Sequence, residues 1–380
     1  MDNAATTRLC DEAYRAMLPY LKDSYGNPGG LYDAGLEAKR AVGTAREDIA
    51  RTINAEPSEI YFTSGGTEAD NWAIKGVAGL FHDKHTVTAA FEHHAVLNTC
   101  RWLEVTGKAV SYAQPDVNGY ISVEEAEKHI CEDTVLISMM HINNELGTVQ
   151  PVKELGHLAH KRGILFHTDA VASYGHIPID VKEMNIDMMS VSAHKFGGPK
   201  GVGFLYVNGK IKLPPLLHGG AQEQGRRGGT ENVAGIAGMA AAAVRAHREM
   251  ECNLKKRYKL DNYFCERLSE FDSGLRQERK SGHIHLNGYV DEHKDERLPG
   301  CFSLTIPGAN AEELIVRLGM EGICISAGAA CASSDEGGSH VLKAIGLDRR
   351  AVGSTIRISM NGYNTKEEID TFFETLGRLI

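Results

Sequence analysis

One lysine and one aspartate each follow a strand-like run, a place where a protein could position reactive groups. Lys195, in "SVSAHKFGGPKG", follows the apolar run "IDMMSVS", which has the length of a buried strand. Asp169, in "FHTDAVASYG", follows the run "ILF" and lies 26 residues earlier. Open α/β sheets bind ligands at the carboxyl ends of their strands, so an amine and a carboxylate at two such ends could face one ligand. Either residue alone would be read as an ordinary surface or capping residue.

Other strand-to-loop junctions add matching residue types. Gly65, Gly66 and Thr67 lie between a strand-like run and a helix start, where free backbone N–H groups and the helix dipole can hold a phosphate. The stretch contains neither GxGxxG nor GxxxxGK[ST], which argues against dinucleotide and P-loop sites. His93 in "EHHAVL" supplies an aromatic ring, and Asn144 in "HINNELGTVQP" supplies an amide.

Together these residues meet the needs of one cofactor. Pyridoxal phosphate requires an amine for a Schiff base and an anion beside its pyridine nitrogen, and it carries a phosphate. The five residue types occur in order along one predicted sheet. The sequence therefore predicts a pyridoxal 5'-phosphate site.

Short apolar runs alternate with helical patterns through the first half of the chain. "EIYFTS" precedes "TEADNWAIKGVAGL", "TVTAAF" precedes "HAVLNTCRWLEVTG", and "TVLISMMH" precedes "VKELGHLAHKRG" and "ILFHTDA". This alternation predicts βαβ units and a mostly parallel, doubly wound sheet.

A second, smaller unit is predicted after a long helical stretch that begins at "GIAGMAAAAVRAHREM". The later runs "HIHLNGYV", "CFSLTI", "AEELIVRLGMEGICIS" and "STIRISM" predict an α+β unit, and "TKEEIDTFFETLGRLI" begins like a capping box. We expect a large domain over residues 15–250. Residues 1–14 and 251–380 are expected to form the small domain.

Composition excludes several other classes. With 380 residues, a formal charge of −9 and a pI near 6.0, the chain does not resemble a general nucleic-acid-binding protein. No apolar run approaches the length of a membrane span, and the start "MDNAATTRLCDE" lacks a signal-peptide pattern, so we expect a cytoplasmic protein. Its eight cysteines are dispersed without metal-ligand spacing, which argues against a disulfide framework or a metal site.

The chain as a whole resembles a known family. It is similar to the NifS/IscS-like cysteine desulfurases, which are class V, fold-type I pyridoxal-phosphate enzymes. The resemblance runs from residue 2 to 360. It rests on "DNAATT", "YGNPGG", "FTSGGTEADNWAIKG", "EHHAVL", "NNELGTVQP", "FHTDA", "SAHKFGGPKGVG", "GGAQEQGRRGGTENVAG", "CISAGAACASS", "SHVLKAIG" and "STIRIS".

The resemblance implies a role for each cofactor-binding residue. Lys195 would be the Schiff-base lysine, Asp169 would meet the pyridine nitrogen, and Asn144 would lie near the ring oxygen. His93 would stack on the ring and serve as a second acid–base group. The implied phosphate-binding residues are Gly66, Thr67, Ser192, His194 and, reaching the partner subunit's phosphate in a homodimer, Thr230.

The same resemblance implies how the substrate is held and where its sulfur goes. Arg357 would grip the carboxylate of L-cysteine as a bidentate fork, with Asn27 beside it. Cys331, in the small and polar stretch "SAGAACASSDEGGSH", would attack the substrate sulfur and carry it as a persulfide to an acceptor protein. The implied acceptors are iron–sulfur scaffolds and thiolation enzymes.

Two departures from the family pattern bear on cofactor tuning and substrate fit. Ala172 stands where these enzymes usually have a glutamine, three residues after the aspartate, and "NPGGLY" replaces the usual "NPSS" with a following histidine.

The expected function is therefore a cysteine desulfurase that forms L-alanine. A selenocysteine lyase, or another class V lyase or aminotransferase, is the alternative among enzymes, and Cys331 argues against a plain aminotransferase. A non-catalytic scaffold for sulfur-transfer partners is the alternative outside enzymes, and the presence of Lys195, Asp169 and Arg357 argues against it.

Overall fold

The structure is a computed structural model that describes residues 1–81, 84–277, 283–288, 296–328 and 338–380. Cys331 lies outside the described residues. Among the residues described, no helix combines the length and the apolar character needed to cross a bilayer.

A seven-stranded sheet forms the larger part of the molecule. Its strands are β1 (Ile60–Thr63), β2 (His85–Ala89), β3 (Ala109–Ala113), β4 (Thr134–Ser138), β5 (Leu165–Asp169), β6 (Met188–Ser192) and β7 (Gly203–Val207). The helices of this part are α1 (Asp11–Lys22), α2 (Asp33–Thr52), α3 (Gly66–Leu80), α4 (His94–Val105), α5 (Val123–Lys128), α6 (Val152–Arg162) and the long α7 (Val233–Gln277).

The strand order is β1-β7-β6-β5-β4-β2-β3. Strands β6, β5, β4, β2 and β3 run parallel, whereas β7 is antiparallel to both β6 and β1. Every residue of β2, β6 and β7 is buried. Strands covered on both faces have no solvent-facing side, which explains why the sequences of β1, β4 and β7 show runs of mostly apolar residues rather than a strict alternation. The predicted mostly parallel sheet is confirmed.

A three-stranded antiparallel sheet forms the smaller part, in the order β10-β9-β8. Its strands are β8 (His285–Asn287), β9 (Cys301–Thr305) and β10 (Thr355–Ser359), and the helices of this region are α8 (Ala311–Met320), α9 (His340–Ala344), α10 (Arg349–Gly353) and α11 (Lys366–Leu379). Stacked and tilted rings of Phe264, Phe302 and Phe373 fill its core. The predicted capping box is present, because Thr365 and Glu368 each bond the other's backbone N–H.

The long helix α7 contributes residues to two different hydrophobic cores. The core of the large sheet includes α7 residues up to Ala243, and the core of the small sheet begins with Leu260. The helix itself continues through residue 250 without a break. Val341 and Val352, from α9 and α10, pack into the core of the large sheet although they lie in sequence between β9 and β10 of the small sheet. The domain boundaries given above stay a prediction.

A buried ion pair joins α7 to the start of β9. Arg297 Nη2 donates to both carboxylate oxygens of Asp261, at 2.8 and 2.7 Å, and Gly300 N donates to Asp261 Oδ1 at 2.6 Å. The two charged side chains are only 5% and 10% exposed. This pair positions the small sheet against the long helix.

We therefore expect Asp261→Ala to lower the free energy of unfolding by about 3–5 kcal/mol, because the buried guanidinium loses this carboxylate. Urea unfolding followed by circular dichroism measures the change. Asp48→Ala is the matched control, since Asp48 pairs with Arg51 on the exposed face of α2 and its loss should cost at most about 1 kcal/mol. Equal losses in the two variants would contradict the structural importance of the Asp261 pair.

Candidate active site

The predicted cofactor residues meet at one edge of the large sheet. Asp169 is the last residue of β5, Ser192 is the last residue of β6, and Lys195 ends the 3-10 turn Ala193–Lys195 that follows β6. His93 and Asn144 lie in the segments that follow β2 and β4. Because these four strands are parallel, all of these residues lie at the carboxyl edge.

Lys195 is half-buried, and backbone carbonyls surround its amine. Its Nζ donates hydrogen bonds to Ala4 O at 2.5 Å and Ala5 O at 3.1 Å. The ring of His176 contacts the backbone of the same residue, with Nε2 3.1 Å from Lys195 O. The N-terminal segment thus forms one wall of the space around the amine.

Asp169 is a buried carboxyl group, 5% exposed. Its Oδ1 accepts a hydrogen bond from Val171 N at 2.8 Å. Burial raises the pKa of Asp169 to about 6, while the bond from Val171 and the charge of Lys195 act in the opposite direction. A cation placed beside this carboxyl, such as a protonated pyridine nitrogen, would favour its ionised form.

His93 caps the start of α4. Its Nδ1 accepts a hydrogen bond from Ala95 N at 3.1 Å, so the neutral ring carries its proton on Nε2. Burial, followed by the nearby charge of Lys195, lowers the pKa of His93 to about 4. The ring is therefore neutral at pH 7, as suits a group that stacks on another aromatic ring.

The start of α3 forms a cradle for an anion. Gly65 has a φ of +151°, a conformation that favours glycine, and a side chain at Gly66 would come within 2.6 Å of Val171 Cγ2. Ser192 lies beside this turn and is 6% exposed, whereas Thr67 is exposed in the first turn of the helix. His194 is half-buried, with Nδ1 3.2 Å from Thr6 Oγ1. Burial, followed by the charge of Lys195, lowers its pKa to about 4.

A small cavity of about 40 Å³ lies beside Lys195. Asn144, Ala172, His176 and Arg257 line it together with Lys195. The volume suffices for about one or two water molecules. The departure at position 172 therefore lies at the same cavity as Lys195.

Arg357 is 2% exposed and points toward the same region. Its Nη1 donates to Asn144 O at 2.9 Å, and its Nη2 donates to Asp2 Oδ1 at 3.0 Å. Among the described residues, its Nε has no hydrogen-bond partner. The guanidinium thus keeps a donor for a further anion.

The remaining predicted residues are placed differently. Asn27 is exposed, and its Oδ1 accepts from Gly29 N at 2.9 Å within its own turn. Thr230 is exposed in the single chain. The roles of Asn27, Thr230 and Cys331 stay predictions.

Sequence reasoning missed a buried polar layer around Asp169. The His167 ring lies between Ser138 Oγ at 2.8 Å and Ser190 Oγ at 2.9 Å, and its Nε2 is 3.7 Å from Asp70 Oδ1. Burial and then the charge of Asp169 raise the pKa of Asp70 well above its ordinary value, and the same two causes raise that of Glu92. The signal in the sequence was the presence of polar residues next to apolar ones within a predicted strand, as in "LFHTD".

Comparisons with known proteins agree with this geometry. The class V aminotransferase family model matches residues 1–372. A cysteine desulfurase IscS from Methanosarcina thermophila is 46% identical over 382 aligned positions, covering 100% of this chain and 91% of that relative. The chain belongs to the cysteine desulfurases of the class V aminotransferase family.

Another cysteine desulfurase and two solved structures extend this likeness. The IscS of Clostridium botulinum is 43% identical, with 100% of this chain and 94% of the relative covered. A solved NifS-like protein superposes with a TM-score of 0.90 at 37% identity, over 100% of this chain and 98% of that one. SspA in complex with cysteine superposes with a TM-score of 0.80 at 37% identity, over 96% and 99% of the two chains.

Enzymes of this family depend on pyridoxal phosphate, and the residues present fit that cofactor. The glycine cradle at α3 suits its phosphate, the buried carboxyl of Asp169 suits its pyridine nitrogen, and the neutral ring of His93 suits its aromatic face. The predicted fold type and cofactor are thus confirmed.

The lowered pKa of His93 predicts a pH effect on the cofactor-free protein. The unfolded chain binds a proton near pH 6.5 and the folded chain near pH 4, so His93 costs stability as the pH falls through this window. We expect wild type to lose about 2–3 kcal/mol relative to His93→Asn between pH 7 and pH 4. Asparagine keeps the helix cap without titrating.

Urea unfolding of both proteins at several pH values measures this difference. His157→Asn, at an exposed position of α6, is the control for the removal of an imidazole. A constant difference between wild type and His93→Asn across the window would show that the His93 ring is not protonated on unfolding.

Proposed function

We propose that the chain converts L-cysteine to L-alanine and receives the sulfur as a persulfide on Cys331. The observation that carries this proposal is the closeness of a cation for a carboxylate to a reactive amine. Arg357 Nη1 bonds Asn144 O, and Asn144 lines the same small cavity as Lys195. An α-amino acid needs both groups, one for its carboxylate and one at the cofactor carbonyl.

The cofactor contributes one kind of chemistry to this reaction. When bound, pyridoxal phosphate withdraws electron density from the α-carbon of an attached amino acid. Asp169 would hold the proton on the pyridine nitrogen, and the N-terminus of α3 with Ser192 would hold the phosphate. One solved relative, SspA, is in complex with cysteine, which supports cysteine as the substrate here.

Two side chains can move protons beside the substrate. Lys195 is the first candidate, because its long side chain is half-buried and its Nζ bonds the backbone carbonyls of Ala4 and Ala5 at the site itself. His93 presents Nε2–H, because its Nδ1 accepts from Ala95 N. A neutral His93 would therefore donate a proton or a hydrogen bond rather than accept one.

The sulfur step needs a thiolate. The thiolate of Cys331 would attack the substrate sulfur, so that a new S–S bond forms as the substrate Cβ–S bond breaks. The electron pair of the Cβ–S bond stays with the carbon skeleton, which takes up a proton and leaves as L-alanine. The sulfur remains on Cys331 as a persulfide.

Other cysteines are less suited to this step. Burial raises the pKa of the Cys100 thiol to about 12 and also raises that of the Cys301 thiol, so neither forms a thiolate readily at pH 7. Cys10 is buried as the N-cap of α1. Cys324 is exposed and lies seven residues before Cys331, so it is the natural competitor.

We also propose that the protein is a cytoplasmic homodimer with a protein partner. The exposed position of Thr230 supports a dimer in which this residue reaches the partner subunit's phosphate. The IscS name of several relatives supports an iron–sulfur scaffold or a thiolation enzyme as sulfur acceptor.

We expect Cys331→Ser to retain the cofactor and bind L-cysteine but to form no persulfide, because a hydroxyl is a poor nucleophile toward sulfur. Mass spectrometry after a single turnover identifies the modified residue. Lys195→Ala is the comparison, since it should abolish the visible absorbance of bound cofactor. Persulfide found mainly on Cys324 would contradict the assignment of Cys331 as the sulfur carrier. A yellow, active Lys195→Ala protein would contradict the assignment of Lys195 as the Schiff-base lysine.

We expect Thr230→Ala to weaken cofactor binding about tenfold or more, the scale of one hydrogen bond to a charged group. Equilibrium dialysis of the cofactor measures the loss, and sedimentation reports the oligomeric state. Thr371→Ala, at an exposed position on α11, is the matched control. A protein that is monomeric at micromolar concentration yet fully loaded would exclude the shared site.

A further inference from the structure

The first residues of the chain run beside the end of β10 and then reach Lys195. Ser359 N donates to Met1 O at 2.9 Å, Asn3 N donates to Ser359 O at 3.1 Å, and Ala4 N donates to Ser359 Oγ at 2.8 Å. Ala4 O is also an acceptor for Lys195 Nζ. We call Asp2–Ala5 the N-terminal strap. The strap is therefore in contact with both ends of the site, the guanidinium and the amine.

The carboxylate of Asp2 bridges two groups. Its Oδ1 accepts from Arg357 Nη2 at 3.0 Å, and its Oδ2 accepts from Ser326 Oγ at 2.7 Å. Ser326 also pairs with the backbone of Arg357, with N···O distances of 3.1 and 2.6 Å. One carboxylate thus joins the guanidinium of Arg357 to the hydroxyl of Ser326.

The Arg357 guanidinium presents its unused donor on the edge that Asp2 occupies. Its Nη1 is committed to Asn144 O, whereas Nε is buried and has no partner among the described residues. Nε and Nη2 lie on one edge of a guanidinium, and a carboxylate that binds as a fork uses two parallel donors of one edge. On that edge, Nη2 already donates to the carboxylate of Asp2. A substrate carboxylate that docks on Nε and Nη2 must share or displace it.

Charge makes this sharing unfavourable. Two carboxylates at one guanidinium repel each other, and the Arg357 side chain is 2% exposed, so water screens the repulsion poorly. The Asp2 side chain is 19% exposed and has a second partner in Ser326. It can therefore release Arg357 and remain bonded to Ser326.

We propose that Asp2 is a positioning residue that competes with the substrate carboxylate for Arg357. This inference rests on the proposed function for the assignment of Arg357 to the substrate carboxylate. Its consequence is that the buried guanidinium keeps an anionic partner when no substrate is bound, and that a substrate carboxylate binds by displacing Asp2.

One measurement on the cofactor-loaded protein reports the competition. L-alanine carries the same carboxylate and amine as L-cysteine but no sulfur, so its dissociation constant, followed by the change in visible absorbance, does not depend on sulfur transfer. Cofactor content and melting temperature are checked for every variant.

The charge of Asp2 is tested with Asp2→Asn, which keeps a side-chain oxygen for Arg357. We expect its dissociation constant for L-alanine to fall about fivefold, the scale of one partly screened charge pair. Asp48→Asn removes the same charge from an exposed pair on α2 and should leave the constant as in wild type. An unchanged or raised constant in Asp2→Asn overturns the competition.

The outcome is distinguishable from a failure of the proposed function. If wild type places its persulfide on a cysteine other than Cys331, the proposed function fails whatever the Asp2 variants do. The L-alanine measurement does not involve Cys331, so it still decides whether Asp2 competes for Arg357.

Discussion

The buried guanidinium of Arg357 is the interaction on which the arrangement of the site depends. A charge with 2% exposure needs hydrogen-bond acceptors, and the Arg357 guanidinium finds them in two distant parts of the chain. Asn144 O comes from the segment after β4 and Asp2 from the N-terminus. Ser326 donates to Asp2 and pairs with the Arg357 backbone, so it holds the same contact in place. The cost of burying one cation thus brings together segments that no local preference would join.

The second constraint is the number of negative charges that the sheet edge can hold. Asp70, Glu92 and Asp169 are all nearly inaccessible to water, and the pKa of each is raised, with burial as the first cause. A layer of this kind favours neutral acids. Asp169 differs from the other two because the charge of Lys195 acts on it and because a cofactor cation would lie beside it. The surroundings therefore decide which of three carboxyl groups remains an anion.

Much of this architecture could be predicted from the sequence, because the central strands are covered on both faces and appear as short apolar runs. The residues that follow those runs, such as Lys195 and Asp169, were found for the same reason, since parallel strands present their carboxyl ends together. Strand β3 was missed because it lies at the sheet edge, and its partly exposed "AVSYA" is not a continuous apolar run.

Other features depend on contacts between distant residues and leave no local pattern. Asp2 and Arg357 are separated by 355 positions, and neither the charge of Asp2 nor its neighbours indicate that it meets a guanidinium. The packing of α9 into the core of the large sheet is of the same kind, because its sequence would suit either core. Such placements follow from the tertiary fold, where burial and pairing are decided over the whole chain.

The long helix α7 has a mechanical consequence. Its 45 residues extend over roughly 68 Å at the usual rise per residue, and they contribute side chains first to one core and then to the other. A continuous helix behaves as a stiff beam that bends only gently over such a length. A small rotation of α7 where it packs on the large sheet therefore produces a larger displacement where it packs on the small sheet. Because α7 contributes to both cores, a substitution along the helix can change the distance between Lys195 at the large sheet and Arg357 at the small sheet without contacting either residue.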